Sequence, residues 1–155
     1  MLLKFGSYYA DIDTINTRTF YNTKMPENSC TCTGCTNFKI FAQQCSSTIK
    51  NAFAAFGIDN IKKVYEIIPY DTSAEDYNKY SGILYGGFFP VIGKILNADK
   101  IEPEKATLHI DENFEFFVSP TISLCPPDFP KPTLQIEIYA YIPWLLNKQN
   151  DYLVY

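Results

Sequence analysis

Leu134-Gln135-Ile136-Glu137-Ile138-Tyr139-Ala140-Tyr141-Ile142 alternates aliphatic with larger or more polar residues, and Pro143-Trp144 ends the run. Successive side chains of an extended chain point to opposite faces, so this pattern predicts a strand with one face on a core. Half-buried strands of this kind belong to antiparallel sheets. Just upstream, Thr107-Leu108-His109-Ile110 and Phe114-Glu115-Phe116-Phe117-Val118 flank Asp111-Glu112-Asn113, which reads as a hairpin. Between that hairpin and the last strand lie Pro120, Pro126, Pro127, Pro130 and Pro132 around Cys125. Their fixed φ and missing donors predict an extended, non-helical connection.

Further back, the stretch from Ile83 to Leu96 is apolar on both faces, as a central strand or two would be. Its glycines allow a bulge, a bend or a close backbone approach. Lys63 to Tyr70 reads as another strand, followed by the acidic loop Asp71 to Asp76. Near the start, Lys4 to Tyr9 and Arg18 to Tyr21 read as strands, with turn formers from Asp11 to Asn16 between them. Asp11 and Asp13 alternate onto one side, which is a polar turn face more readily than a cation site.

One segment breaks the pattern. Phe38, Phe41, Ala42, Cys45, Ile49, Ala52, Phe53 and Phe56 recur at helical spacing, with Lys39, Gln43, Ser46, Ser47 and Lys50 opposite. This predicts one long helix over Asn37 to Phe56, with Gly57 as its C-terminal cap. Cys45 lies within the apolar stripe and is expected to fill core volume. The expected fold is α+β: a single domain over residues 1–155, mainly an antiparallel β-sheet with one long amphipathic helix packed on one face.

Composition narrows the function classes. The chain has 155 residues, enough to bury a core without disulfides. It is 46% hydrophobic and 16% aromatic, which excludes whole-chain disorder. Net charge is −4 and lysines form no stripe, so nucleic acid is not an expected partner. No apolar run approaches the ~20 residues of a membrane span, and the first residues lack the apolar core of a secretory signal. The expectation is a cytoplasmic protein, where clustered cysteines mean metal or redox chemistry.

Three of the five cysteines fall together in Cys30-Thr31-Cys32-Thr33-Gly34-Cys35. Thiolates held by a tight turn present sulfurs to a tetrahedral ion, so Cys30, Cys32 and Cys35 are candidate ligands for a structural zinc. Cys125, in its irregular loop, is the candidate fourth ligand. His109, the only histidine, sits beside core residues on its strand. The alternative is a thiol–disulfide or metal-dependent enzyme using Cys32 and Cys35, whose two-residue spacing precedes a helix that would lower a thiol pKa. Thioredoxin-like proteins use that spacing within a parallel sheet, which this chain does not predict. No nucleophile elbow, metalloprotease helix motif or phosphate-binding glycine loop is present.

A binding module is the reading left by elimination. Tyr139, Tyr141 and Trp144 offer large contact area at low entropy cost, as a protein-binding face requires. The acidic loop would meet a basic partner, as in small acidic inhibitor or immunity proteins.

Cys30-x-Cys32-x-x-Cys35-x-Asn37-Phe38, Phe56-Gly57-Ile58-Asp59, Tyr85-Gly86-Gly87-Phe88 and the terminal Ile142-Pro143-Trp144 together resemble a group of small proteins from Gram-positive bacteria and their mobile elements. The resemblance spans residues 30 to 146. It implies an accessory role and no catalytic residue.

Overall fold

A computed structural model describes residues 1–155. The strands are β1 (Leu2–Phe5), β2 (Tyr8–Ile12), β3 (Glu66–Pro69), β4 (Thr72–Ser73), β5 (Ile83–Ile95), β6 (Thr107–Asp111), β7 (Phe114–Ser119), β8 (Thr133–Ile142) and β9 (Leu153–Val154). The helices are α1 (Thr14–Thr23), α2 (Thr33–Gln44), α3 (Ser47–Phe56) and α4 (Ala74–Tyr80). Seven strands make one antiparallel sheet in the order β1-β2-β5-β8-β7-β6, with β3 also on β5; β4 and β9 pair separately in parallel. The architecture is α+β, as the alternating and all-apolar runs predict.

β5 is the spine. Along one edge it pairs with β8 from Ile83↔Ile142 to Ile92↔Thr133. Along the other edge its two ends take different partners: β3 pairs with Tyr85 to Phe88, and β2 with Gly93 to Ile95. Pro90 lies in the gap between them, where the missing amide hydrogen costs no ladder bond. Helix α1 plugs that gap. The buried Tyr21 hydroxyl donates to the Pro90 carbonyl (2.9 Å), and the Ile92 N–H donates to the Thr17 hydroxyl oxygen (3.0 Å).

The core forms where α2 and α3 cover one face of the sheet. Phe53 is fully buried and packs its ring against Phe89 (4.9 Å between centroids) and Phe116 (5.0 Å). Phe56 meets Phe116 (5.1 Å) and Phe5 (6.0 Å), and Phe38 meets Tyr85 (6.0 Å). Ile136, Ile138, Ala140 and Ile142, the inward half of the β8 alternation, are all buried beneath them.

Four expectations change: Lys4 to Tyr9, read as one strand, is the turn of the β1–β2 hairpin at Gly6-Ser7 with the ends of both strands, and the other three concern helices. The single helix over Asn37 to Phe56 is two. Cys45 is the extended C-cap of α2, and Ser46 is the N-cap of α3, its hydroxyl accepting from the Ile49 N–H (3.3 Å). A serine that can cap a new turn competes with continuing the old one. The apolar spacing carries across the break, and Gly57 ends α3 with φ +95 as expected.

The expected strand at Arg18–Tyr21 lies inside α1. Its Thr- and Asn-rich sequence has weak helix propensity, but Asp13 caps it through the Asn16 N–H (3.0 Å), and Thr17, Phe20 and Tyr21 bury at helical spacing. Lastly, the acidic loop is mostly a helix start. Ser73 caps α4, and Glu75 and Asp76 fall in its first turn, where carboxylates oppose the positive end of the helix dipole.

Removing the side chain at the centre of this packing tests it. Phe53→Ala should lower unfolding free energy by about 3–5 kcal/mol in urea titration, whereas Ile15→Ala, at an exposed position of α1, should stay within about 0.5 kcal/mol.

Candidate metal centre

The cluster sits where the loop from Lys24 enters α2. Cys32 is the N-cap residue, extended at φ −61, ψ 161, and its sulfur accepts from the Cys35 N–H (3.4 Å). Cys30 Sγ lies 3.4 Å from Cys32 Sγ. The thiol sulfurs of Cys30, Cys32 and Cys35 all lie within 4.8 Å of one another. Three sulfurs at ~2.3 Å from a tetrahedral zinc would stand about 3.8 Å apart, so the group is close to a ligand set already. Cys30 and Cys32 are exposed and Cys35 is buried.

What fixes this geometry is a buried polar network under the first turn of α2. Tyr85, on β5, donates its hydroxyl to the Gly34 carbonyl (2.8 Å) and accepts from Asn37 Nδ2 (3.3 Å). Asn37 also donates to the Pro143 carbonyl (2.9 Å) and accepts from the Leu145 N–H (2.6 Å). One fully buried amide thus ties the helix start to the end of β8. Gly34 is required by close approach: a Cβ there would stand 2.5 Å from the Pro69 ring and 2.9 Å from the Tyr152 hydroxyl. Lys39 Nζ donates to the Cys30 carbonyl (2.7 Å) and anchors the loop to the same helix.

Electrostatics separates the thiols. Burial raises the Cys32 pKa, but the Cys35 backbone N–H, its own neighbouring thiols and the Tyr152 hydroxyl favour its thiolate, and the net value falls to about 7. Burial pushes the Cys35 thiol far up, and the Cys30 and Cys32 sulfurs beside it add to the effect. Tyr152 Oη stands 3.8 Å from Cys32 Sγ, and burial followed by that contact raises the phenol as well.

The structure brings Cys30, Cys32 and Cys35 together and leaves Cys125 apart. The residue beside it, Leu124, donates its N–H to Gln135 Oε1 (3.3 Å) at the start of β8. The cluster lies by Tyr85, whose partner on β8 is Ala140. Five residues of strand separate the two places, about 16 Å at ~3.3 Å per residue. Nor does His109 join: it is exposed and pairs with Glu115 (3.0 Å) across the hairpin. Asp11 faces the N-terminal amine (3.5 Å) and Asp13 caps α1, so these two carboxylates share no site. Cys45 is buried, as expected.

Of the tyrosine-bearing positions, Tyr139 and Tyr141 share the sheet face opposite the helices. Tyr139 is exposed and stacks on Tyr70 (6.4 Å) and edge-on with Phe117 (5.7 Å), while Tyr141 stacks on Tyr80 (4.1 Å). Trp144 is elsewhere: its indole N–H donates to the Lys148 carbonyl (2.9 Å) and its ring packs near Tyr152, on the cluster side. Tyr152 was not singled out from the sequence, and Asn37 and Tyr85 entered only as parts of the resemblance, with no role in a network. An asparagine beside an apolar helix stripe is the one local signal that pointed to the network.

Two outcomes follow for these residues. Asn37→Ala should cost about 2–4 kcal/mol in urea titration, since the Pro143 carbonyl and Leu145 N–H lose buried partners worth ~1–3 kcal/mol each. Peptide-resolved iodoacetamide labelling of the metal-free protein should rise with pH at Cys32, because only the thiolate reacts, and reach half-maximum near pH 7 rather than the ordinary 9.0. Cys35 should stay unlabelled across the same range.

No protein family, no curated protein and no solved structure matches this chain.

Proposed function

We propose that this protein is a metal-stapled binding module: a zinc ion held by Cys30, Cys32 and Cys35 fixes the loop that enters α2, and the sheet face around Tyr139 engages a protein partner. The observation that carries the reading is the mutual approach of three thiol sulfurs within 4.8 Å. Cysteines packed for volume alone have no reason to converge at an exposed helix N-terminus. Soft thiolate donors select zinc among the abundant divalent ions. The positive end of the helix dipole and the Cys35 N–H favour the charge that a thiolate ligand must carry.

The partner face is argued from chemistry. Tyr70, Phe117 and Tyr139 make a row of rigid aromatics on the uncovered side of the sheet, bordered by Glu115 and Glu137. Such a surface suits a protein partner with basic and apolar groups and does not suit phosphate. No helix is long and apolar enough to cross a membrane. All five cysteines are free, which fits a reducing compartment, and the cytoplasm is the proposed location. An accessory role is part of the proposal, in line with the resemblance expected from the sequence to small proteins of Gram-positive bacteria and their mobile elements.

Metal content decides the matter. Protein purified without chelators should carry about one zinc per chain. Cys32→Ser and Cys35→Ser should lose that zinc and melt at lower temperature, and Cys125→Ser should keep both zinc and melting temperature. A metal-free protein with five freely reactive thiols would overturn the proposal. A reversible Cys32–Cys35 disulfide in that protein would favour thiol–disulfide chemistry in its place.

A further inference from the structure

From the metal site just proposed, and resting on it, we infer that its fourth coordination position is open and takes a thiolate from outside the cluster. Three cysteine sulfurs converge, and no fourth cysteine, histidine or carboxylate joins them. Cys125, the natural fourth ligand by sequence, is held at the far end of β8. A structural zinc closed by protein alone has four such ligands, whereas three protein ligands leave a position for solvent or an incoming donor.

The site's surroundings say which donor. Cys30 and Cys32 are exposed and line none of the five main clefts, so a small substrate would find little enclosure against the metal. A ligand arriving there is held by its bond to the ion, which favours the softest and strongest donor, a thiolate. A fourth thiolate would leave the complex with two negative charges. The N-terminus of α2 and the Lys39 ammonium, fixed on the Cys30 carbonyl at 2.7 Å, are placed to offset that charge. The Tyr152 hydroxyl, 3.8 Å from Cys32 Sγ, is the competing oxygen donor within the chain. Coordination would exchange one ligand for another: the incoming thiol would give its proton to solvent and its sulfur would fill the open position, with no change of oxidation state.

Cobalt(II) makes the ligand count visible, because each Co–S bond adds charge-transfer absorbance. The wild-type chain loaded with cobalt should show tetrahedral bands, and titration with 2-mercaptoethanol or with glutathione should raise the charge-transfer absorbance by about one third, from three Co–S bonds to four. A response to 2-mercaptoethanol alone would restrict the donor to small free thiols; a response to glutathione as well would admit a cysteine within a peptide. Tetrahedral cobalt whose spectrum ignores both thiols would overturn the inference and leave the metal site standing. A shift in Tyr152→Phe would then assign the position to the phenol. Cobalt stripped from the chain by either thiol would overturn it too. Absence of any Co–S band would be a different failure, that of the metal site itself.

Discussion

The long ladder between β5 and β8 is the constraint on which the rest depends. Ten residues of β5 pair in register with β8, and that pairing sets which side chains enter the core. A slip of β8 by one residue would turn Ile136, Ile138 and Ala140 to solvent while Tyr85 and Phe89 of β5 stayed inside. The free edge of β5 cannot be a simple repeat of the first, because Pro90 has no hydrogen to donate there. β2 and β3 therefore take its two ends, and α1 closes the gap with the Tyr21 hydroxyl and the Thr17 oxygen. An irregular helix with weak intrinsic propensity is stabilised because it satisfies polar groups that no strand reaches.

That ladder also locates the cysteine cluster. Tyr85 is placed on the inner face by its pairing with Ala140, and its hydroxyl receives the first turn of α2 through Gly34 and Asn37. The sulfurs converge on a start of helix that is locked from beneath, with Pro69 and Tyr152 pressed against Gly34. The network beneath the helix start holds the three sulfurs together, which would lower the ordering cost of binding a metal ion there.

On the other face the same ladder produces a different surface. Gly86 leaves room for the Tyr70 ring, which lies 3.1 Å from where a Cβ would stand, and lets it stack against Tyr139 from the neighbouring strand. The inner face is closed by phenylalanines from two helices. The outer one keeps its tyrosines, with Glu115 and Glu137 between them. The two faces of one sheet thus carry the stability and the proposed recognition separately.

How much of this was readable in the chain depends on the range of the interaction. The β8 alternation, the β6–β7 hairpin, the apolar run of β5 and the Gly57 cap are local patterns, and each was legible because period-2 burial or a left-handed cap is written into neighbouring residues. So was the Cys30–Cys35 cluster, whose members are joined by a single turn. Two matters were decided only by tertiary structure, and a third, the break at Ser46, by a local cap that the continuing apolar spacing hid. The Thr17–Tyr21 segment became helical because the vacant edge at Pro90 needed its hydroxyls. The helical run split at Ser46 because a hydroxyl there can cap a new turn at no loss of apolar spacing. Cys125 stayed away from the other cysteines because its loop is anchored to Gln135, five residues of strand from the place where Tyr85 holds α2. Sequence alone determined the long alternating and apolar strands and which thiols are neighbours; the fold decided, through strand register and buried hydrogen bonds, which distant groups would meet.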